Sequence, residues 1–407
     1  MREGRSVPPV VSRLLMALAC LIAPAARADE HRVEPGQEWS RLAGIVKPGD
    51  EIVLMRGVHR PASLAGLSGA PGRPIVIRGD DVAHPARIEV GKAGGSGLYM
   101  QRPRHVEVRD VVVGGATHNG INIDDTGGAG SFGEPWRADL TIRRVRVERT
   151  GPRGNTDGIK LSGLREVRVV DCTIEGWGGS AIDLVGCHGV VIEGCTFRGL
   201  SGHDQSSGVQ VKGGSADVRI LACRFENAGQ RAVNLGGSTG LAYFRPRVPD
   251  DAEPGSRYEA ENVTVEGCIM VGGDSAVAFV GSRGGVVRRC TIIGARRWAF
   301  RLLHENSDPR FAPSEGGVIE DCLIVWPDQA PRTFINIGPG TRPDSWRFGV
   351  NLWWWPGADG NEGPRMIDLL PGERAGGQVL KNPLLDGELR PANPDTSRFG
   401  APKVPGR

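Results

Sequence analysis

The stretch that decides the fold is Ser206-Ser-Gly-Val-Gln-Val-Lys-Gly-Gly-Ser215. Its alternation predicts one short strand over Gly208 to Lys212, with Val209 and Val211 facing inward and Gln210 and Lys212 outward. The same pattern returns at Gly120-Ile-Asn-Ile-Asp124, Gly158-Ile-Lys-Leu-Ser162, Ala181-Ile-Asp-Leu-Val185, Ala232-Val-Asn-Leu-Gly236, Ala276-Val-Ala-Phe-Val280, Ala299-Phe-Arg-Leu-Leu303 and, more weakly, Phe334-Ile-Asn-Ile-Gly338. The aligned apolar positions are Ile121, Ile159, Ile182, Val209, Val233, Val277, Phe300 and Ile335, spaced 38, 23, 27, 24, 44, 23 and 35 residues apart. A unit near 23 with insertions at a fixed place marks a solenoid whose loops vary on one face. Each unit carries a second strand signal, as in Val167-Arg-Val-Val-Asp-Cys-Thr-Ile174 and Val190-Val-Ile-Glu-Gly-Cys-Thr-Phe197. No helical periodicity of useful length separates the strands, and they are too short for a sandwich with long hairpins. An all-β parallel β-helix is the economical answer.

Composition agrees. The 407 residues include 61 glycines and only 5% aromatics, which suits many tight turns between short strands. Arg2, Arg5 and Arg13 precede an apolar run from Leu14 to Ala23, and Ala26-Arg27-Ala28 offers a small-x-small cleavage site. Residues 1–28 are expected to be a signal peptide removed before Asp29, which makes the protein secreted or periplasmic. The run is too short for a membrane span. A lipoprotein reading at Cys20 is disfavoured by Ala17, where a large aliphatic residue is usual. Removing the leader's four Arg and one Glu leaves 46 basic and 46 acidic residues, so the bulk charge points to neither nucleic acid nor an anionic membrane. The remaining divisions are an N-terminal cap and first strands at 29–95, β-helix repeats at 96–340, and a closing segment at 341–407. A cap is expected because the last apolar layer of a repeat array would otherwise meet water.

Six cysteines share one repeat column: Cys172, Cys195, Cys223, Cys268, Cys290 and Cys322. Their spacing fits no zinc pattern, and they read as small inward residues stacked on one another. Cys187 lies off the column, and no disulfide pair is assigned.

Stacking brings equivalent residues of successive coils to about 4.8 Å. One outward column then reads Asn122, Lys160, Asp183, Gln210, Asn234, Ala278, Arg301, Asn336. The next reads Asp124, Ser162, Val185, Lys212, Gly236, Val280, Leu303, Gly338. The polar first column suggests a ligand groove, with Lys160, Asp183, Gln210, Asn234, Arg301 and, beside them, His304 as substrate contacts; a plain solvated face is the alternative, since exposed strand positions are polar anyway. Lys212 has uncharged column neighbours and no expected ion-pair partner there, so it is a candidate general base. Lys160 beside Asp183 reads equally as a surface salt bridge. His203 precedes the strand and is a candidate acid or base. The largest insertion, Ser238 to Asn262, carries Leu241-Ala-Tyr-Phe-Arg-Pro246 and is either a groove wall or an ordinary surface loop. Asp124, Asp125 and Asp157 are the oxygen ligands a Ca²⁺ ion would take. They lack a tight acidic run, so turn-forming Asp is preferred, no metal ligand is assigned and the cofactor stays open.

The chain resembles the right-handed parallel β-helix proteins related to pectate lyase. The resemblance rests on Lys47-Pro-Gly-Asp50, Pro74-Ile-Val-Ile-Arg78, the repeats, and the ending Asn351-Leu-Trp-Trp-Trp355 with Asn382-Pro-Leu-Leu-Asp386. It implies a single-stranded right-handed β-helix. Val211-Lys-Gly-Gly-Ser215 with Cys223-Arg-Phe225 is similar to the catalytic-lysine turn of the chondroitinase B and alginate lyase family. His203-Asp-x-Ser-x-Gly208 is similar to the histidine motif of mannuronan C-5 epimerases. Both families remove the C-5 proton of a uronic acid. Two departures stand out: the lyases carry an Arg on the next turn, where this chain has Leu235 and Gly236, and the epimerases carry Asp-Pro before the His, where this chain has Ser201-Gly202. Arg231 is the cation expected to neutralise the substrate carboxylate instead. The resemblance thus implies a lyase acting on an anionic polysaccharide, with Lys212 or His203 as base and Arg231 beside it. A C-5 epimerase and a non-catalytic glycan-binding β-helix are the alternatives.

Overall fold

The computed structural model describes residues 28–403 apart from 93, 127–132, 331, 359–364, 366–368 and 375–377. The expected signal peptide therefore lies, except for Ala28, outside the described residues. The described strands form three parallel sheets of 14, 10 and 12 strands. The chain visits each sheet once per coil. One coil runs through Ser180–Val185 in the 10-stranded sheet, His188–Glu193 in the 14-stranded sheet and Thr196–Arg198 in the 12-stranded sheet. The next opens at Ser207–Lys212, which pairs in parallel with Ser180–Val185. The coil is a right-handed parallel β-helix, the hand that parallel crossovers adopt. The decisive stretch reads as expected: Val209 and Val211 are buried, while Gln210 and Lys212 are half-buried on the outer face.

The inner positions stack in register. Ile182 pairs with Val209, Val209 with Val233, Val233 with Val277 and Val277 with Phe300. Each coil buries an apolar layer that only its neighbours can cover, so the coils stabilise one another as a one-dimensional array. Phe197 and Phe225 extend the stacking to aromatic rings, with centroids 4.7 Å apart.

The cysteine column marks one corner. The residue before each of the six cysteines has a positive φ: Asp171, Gly194, Ala222, Gly267, Arg289 and Asp321. That left-handed step turns the chain between sheets and points the next side chain inward, where a small, soft thiol fits. Each thiol donates to the carbonyl two residues back and to a carbonyl of the coil before, as Cys195 does to Glu193 O and Val169 O. All seven cysteines among the described residues are free and buried. In the native protein these thiols are therefore expected to resist a thiol reagent and to react only on unfolding, and a reductant is expected to leave the melting temperature unchanged.

Coiling begins at Glu30–Val33, and strands of all three sheets occur before residue 96. The stretch 39–46 forms a 3₁₀ turn, Ser40–Gly44, with Trp39 buried and its indole donating to Arg60 O. Leu42, Ala43 and Val46 pack on the core there. At the other end Trp326, Phe334, Trp353 and Trp355 interlock with centroids 5.0–5.4 Å apart around Phe334.

The long insertions share one corner, after the strands of the 10-stranded sheet. The segments at 237–259 and 304–317 both leave that corner. The first rises over the outer face where Lys212 stands, and the second packs against the first through Phe311 and Asn306.

Candidate functional site

Both outward columns are in register. Asn122 pairs with Lys160, Lys160 with Asp183, Asp183 with Gln210 and Gln210 with Asn234. The second column runs Asp124, Ser162, Val185, Lys212.

Asp183 is the centre. It is fully buried, and two lysines converge on it. Lys160 Nζ donates to its Oδ2 at 2.6 Å and to Asp157 Oδ2 at 3.0 Å. Lys212 Nζ lies 3.2 Å from Asp183 Oδ1, an ion pair without hydrogen-bond geometry. Lys212 has no charged neighbour in its own column, but it reaches a partner diagonally, one coil back and in the neighbouring column. One expectation is corrected. The Lys160–Asp183 pair is no surface bridge, because its carboxylate is out of contact with water.

Burial works to raise the Asp183 pKa, but Lys212 and then Lys160 outweigh it and hold the carboxyl below its usual range. Asp157 goes the other way: burial and the neighbouring Asp183 charge push it up against Lys160. Burial would lower Lys160, and the two carboxylates overcome this and raise it. Asp157 is further tied by Ser180 N–H to its Oδ1 at 2.7 Å and by its own N–H to Asn119 Oδ1 at 2.9 Å. Four charges thus form one rigid block under the outer face.

Above the block lies an open cleft of about 520 Å³. Its floor includes Asn122, Lys160, Ser162 and Lys212, and its rim includes Thr239, Tyr243 and Arg245. The turn after Lys212 needs both its glycines. Gly213 and Gly214 have φ of 68° and 83°, and a Cβ on Gly214 would sit 2.8 Å from Arg245 O. Glu259, fully buried, accepts from Gly213 N–H, from the Thr239 N–H and hydroxyl, and from Asn306. It therefore locks the Lys212 turn to both insertions. Arg245 is buried and grips Asp125 with two 2.9 Å hydrogen bonds across 120 residues of chain. Tyr243 is 55% exposed on the rim.

The other expected site residues are scattered. Gln210 accepts from Ser180 Oγ at 3.2 Å beside the block. Asn234 is buried and accepts from Arg231. Arg231 aligns with Ser207, at the opposite end of the strand from Lys212, and its guanidinium is paired with Glu305 at 2.5 Å. Five residues of strand, about 17 Å, separate the two backbones. His203 lines a different cavity of about 450 Å³ with Asp204, Asn227 and Asp274. Arg301 donates to Asn336 at 3.1 Å, three coils on from Gln210. His304 follows the strand Trp298–Leu303 and lies beside Gly340. So the structure brings Lys160, Asp183, Gln210 and Lys212 together and leaves His203, Arg231, Arg301 and His304 apart from them. Asp157, Glu259, Tyr243, Arg245 and Asp125 complete the site.

Asp124, Asp125 and Asp157 are each engaged: Asp124 accepts from Tyr99, Asp125 from Arg245, Asp157 from Lys160. Among the described residues no group of three or more His, Cys, Asp or Glu could hold a metal ion.

Acid is expected to destabilise the fold. Asp183 and Asp110 are buried carboxyls held low. For Asp110, burial opposes the shift, and hydrogen bonds from Arg144 and Arg109 win. A folded pKa below the unfolded value of about 3.9 gives stability that is present above that value and lost as pH falls through the folded pKa. Asp157, with its raised pKa, has the opposite sign and offsets part of this. The melting temperature is expected to drop on acidification from about pH 5 toward pH 3. A flat profile there would contradict these assignments.

A family model described as a right handed beta helix region matches residues 75–246. No curated protein matches the sequence. Among solved structures, the A-module of a mannuronan C-5 epimerase from Azotobacter vinelandii is 14% identical, with a TM-score of 0.51 over 84% of this chain and 93% of that one. A PL6 family polysaccharide lyase from Pseudopedobacter saltans is 11% identical, with a TM-score of 0.49 over 92% and 96% of the two chains. An alginate lyase from a Paenibacillus species is 13% identical, with a TM-score of 0.47 over 86% and 97%. At 14% identity the likeness to the epimerase module is one of fold alone. The three parallel sheets, their coil-by-coil register and the matched region show that the fold of this chain is a right-handed parallel β-helix.

Proposed function

We propose that the cleft over Asp183 binds a uronate-containing polysaccharide and cleaves it by β-elimination. The observation that carries this is the convergence of Lys160 and Lys212 on one buried carboxylate at the floor of an open polar cleft. Lys160 uses two of its three N–H groups on Asp157 and Asp183, which leaves one for a substrate carboxylate. A cation there lowers the energy of the charge that builds up when the C-5 proton leaves. Lys212, an ammonium at rest against Asp183, first gives a proton to water and then, as the free amine, takes the C-5 proton. The C–H electron pair becomes the new C4–C5 double bond, and the bond from C-4 to the glycosidic oxygen breaks. Tyr243 on the rim gives its phenolic proton to the leaving oxygen and regains one from water. The ammonium formed on Lys212 faces Asp183 Oδ1, which has no hydrogen-bond partner to give up. Asp183 thereby serves Lys212 as a buried carboxylate serves the base of a catalytic triad.

Arg231, placed across the strand and paired with Glu305, is not part of this step; Lys160 takes the role given to it from sequence. The polymer, not a nucleic acid, is the partner. Among the described residues no helix is long and apolar enough to cross a membrane. The leader expected at 1–28 would deliver the protein to the compartment where such polymers lie.

The test is ultraviolet absorbance of unsaturated uronate while the protein meets alginate, pectate, chondroitin, heparin and hyaluronan, with and without Ca²⁺. A rise on one polymer supports the reading and identifies the substrate. No rise on any removes it.

A further inference from the structure

A second cluster of cations lies at another corner, just before the strand Trp298–Leu303. It borders a cavity of about 550 Å³ lined by Arg296, Arg297, Trp298, Gln329, Arg332 and Thr333. Arg296 is paired with Asp274 at 2.9 Å. Among the described residues, Arg297 and Arg332 have no carboxylate at ion-pair distance, and both are exposed.

Trp298 organises this corner. Its indole N–H donates to Thr333 Oγ1 at 3.1 Å, which pins the ring. The Arg297 guanidinium lies over that ring, 4.8 Å from the centroid, and Arg301 lies 4.7 Å from it. A stacked guanidinium uses its face on the ring and keeps its in-plane N–H donors for an oxyanion. Holding it in place beforehand lowers the entropy lost when the anion binds. Like charges crowd here: burial, then the Arg231 charge, depresses the Arg301 pKa, and Arg297 adds to the effect. An anion relieves such crowding.

We propose that this corner is a second binding site for the acidic groups of a glycan chain, in which Arg297 and Arg332 hold a carboxylate or sulfate and Trp298 fixes the Arg297 guanidinium. The glycan rests on the function proposed for the cleft; the anion does not. Trp298 aligns with Ser275, Arg231 and Ser207 at the opening end of the strands, whereas Lys212 closes its strand. The corner is therefore about 14 Å along the axis and about 17 Å across the sheet from Lys212. One sugar cannot touch both. The site retains polymer away from the reacting bond.

The experiment titrates Lys212→Ala protein, in which turnover is removed, with polygalacturonate, alginate and heparin. Neutral dextran and double-stranded DNA run alongside. Adding Arg297→Ala and Arg332→Ala is expected to weaken binding of the acidic polymer by about tenfold or more, the size of losing one charge-assisted contact. Polyuronates against heparin separate carboxylate from sulfate. Both arginines are exposed, so an unchanged melting temperature is expected and confirms folding. Undiminished affinity, or DNA held as tightly as the glycan, overturns the proposal. Failure of the cleft reading is distinguishable: acidic polymer bound through Arg297 and Arg332, with no unsaturated product from the protein that keeps Lys212, supports this site and sinks the lyase.

Discussion

Lys212→Ala is expected to lower kcat on the acidic polymer by about 10²- to 10⁴-fold, the usual contribution of a positioned general base. KM is expected to change far less, because Lys160 and the cleft floor still hold the substrate. Lys212→Arg separates two roles. Arginine keeps the positive charge and can pair with Asp183 Oδ1, but it does not surrender a proton at accessible pH. If Lys212 acts as a base, Lys212→Arg is as inactive as Lys212→Ala. If it acts only as a charge, Lys212→Arg retains most activity. The ratio of kcat for the two variants, measured by product absorbance, decides. Folding should survive both changes, since the Lys212 side chain is 18% exposed and Asp183 keeps its 2.6 Å hydrogen bond from Lys160.

Asp183→Asn is expected to destabilise the protein by about 3–5 kcal/mol, the range for removing one partner of a buried ion pair. The replacement has the same shape, so packing is not at issue. What is lost, among the described residues, is the one carboxylate that Lys212 faces and one of the two that Lys160 faces. A second change, Lys212→Met, should recover part of the loss, because the stranded ammonium is then gone, whereas Lys160 keeps Asp157. A double-mutant cycle by denaturant unfolding reads this coupling directly. Additive effects would mean that the two side chains do not share the buried charge balance.

The fold was legible from the sequence because a solenoid repeats its evidence. Val209 fixes nothing alone, but Ile159, Ile182, Val233 and Val277 in the same frame fix the strand, its inward face and its register. The cysteine column was legible for the same reason: each thiol follows a left-handed corner, and the corner recurs. The outward columns could be written down before any coordinates, and the pairing agrees with them.

The site was harder to read, for reasons of geometry. Columns show neighbours at equal register only. Lys212 meets Asp183 two positions off register, so its column looked uncharged. His203 and Arg231 are close to Lys212 in sequence, yet they belong to the opening end of the strand and Lys212 to its closing end. Short separation along an extended strand is long separation in space. Arg245 could not be paired with Asp125 from sequence, because an insertion's path over the face has no period. Glu259 hides in the same way. It sits just before Ala260–Glu266 and looks like any strand-flanking acid, but the insertions bring Gly213, Thr239 and Asn306 to it.

The most direct measurement is the crystal structure of Lys212→Ala protein with an acidic oligosaccharide from the polymer that yields unsaturated product. A uronate carboxylate is expected on Lys160 Nζ, with C-5 facing the space vacated by the Lys212 side chain and the leaving oxygen toward Tyr243. A sugar seated instead beside His203, or along Arg231 and Glu305, would contradict the assignment of the cleft over Asp183 as the reacting site.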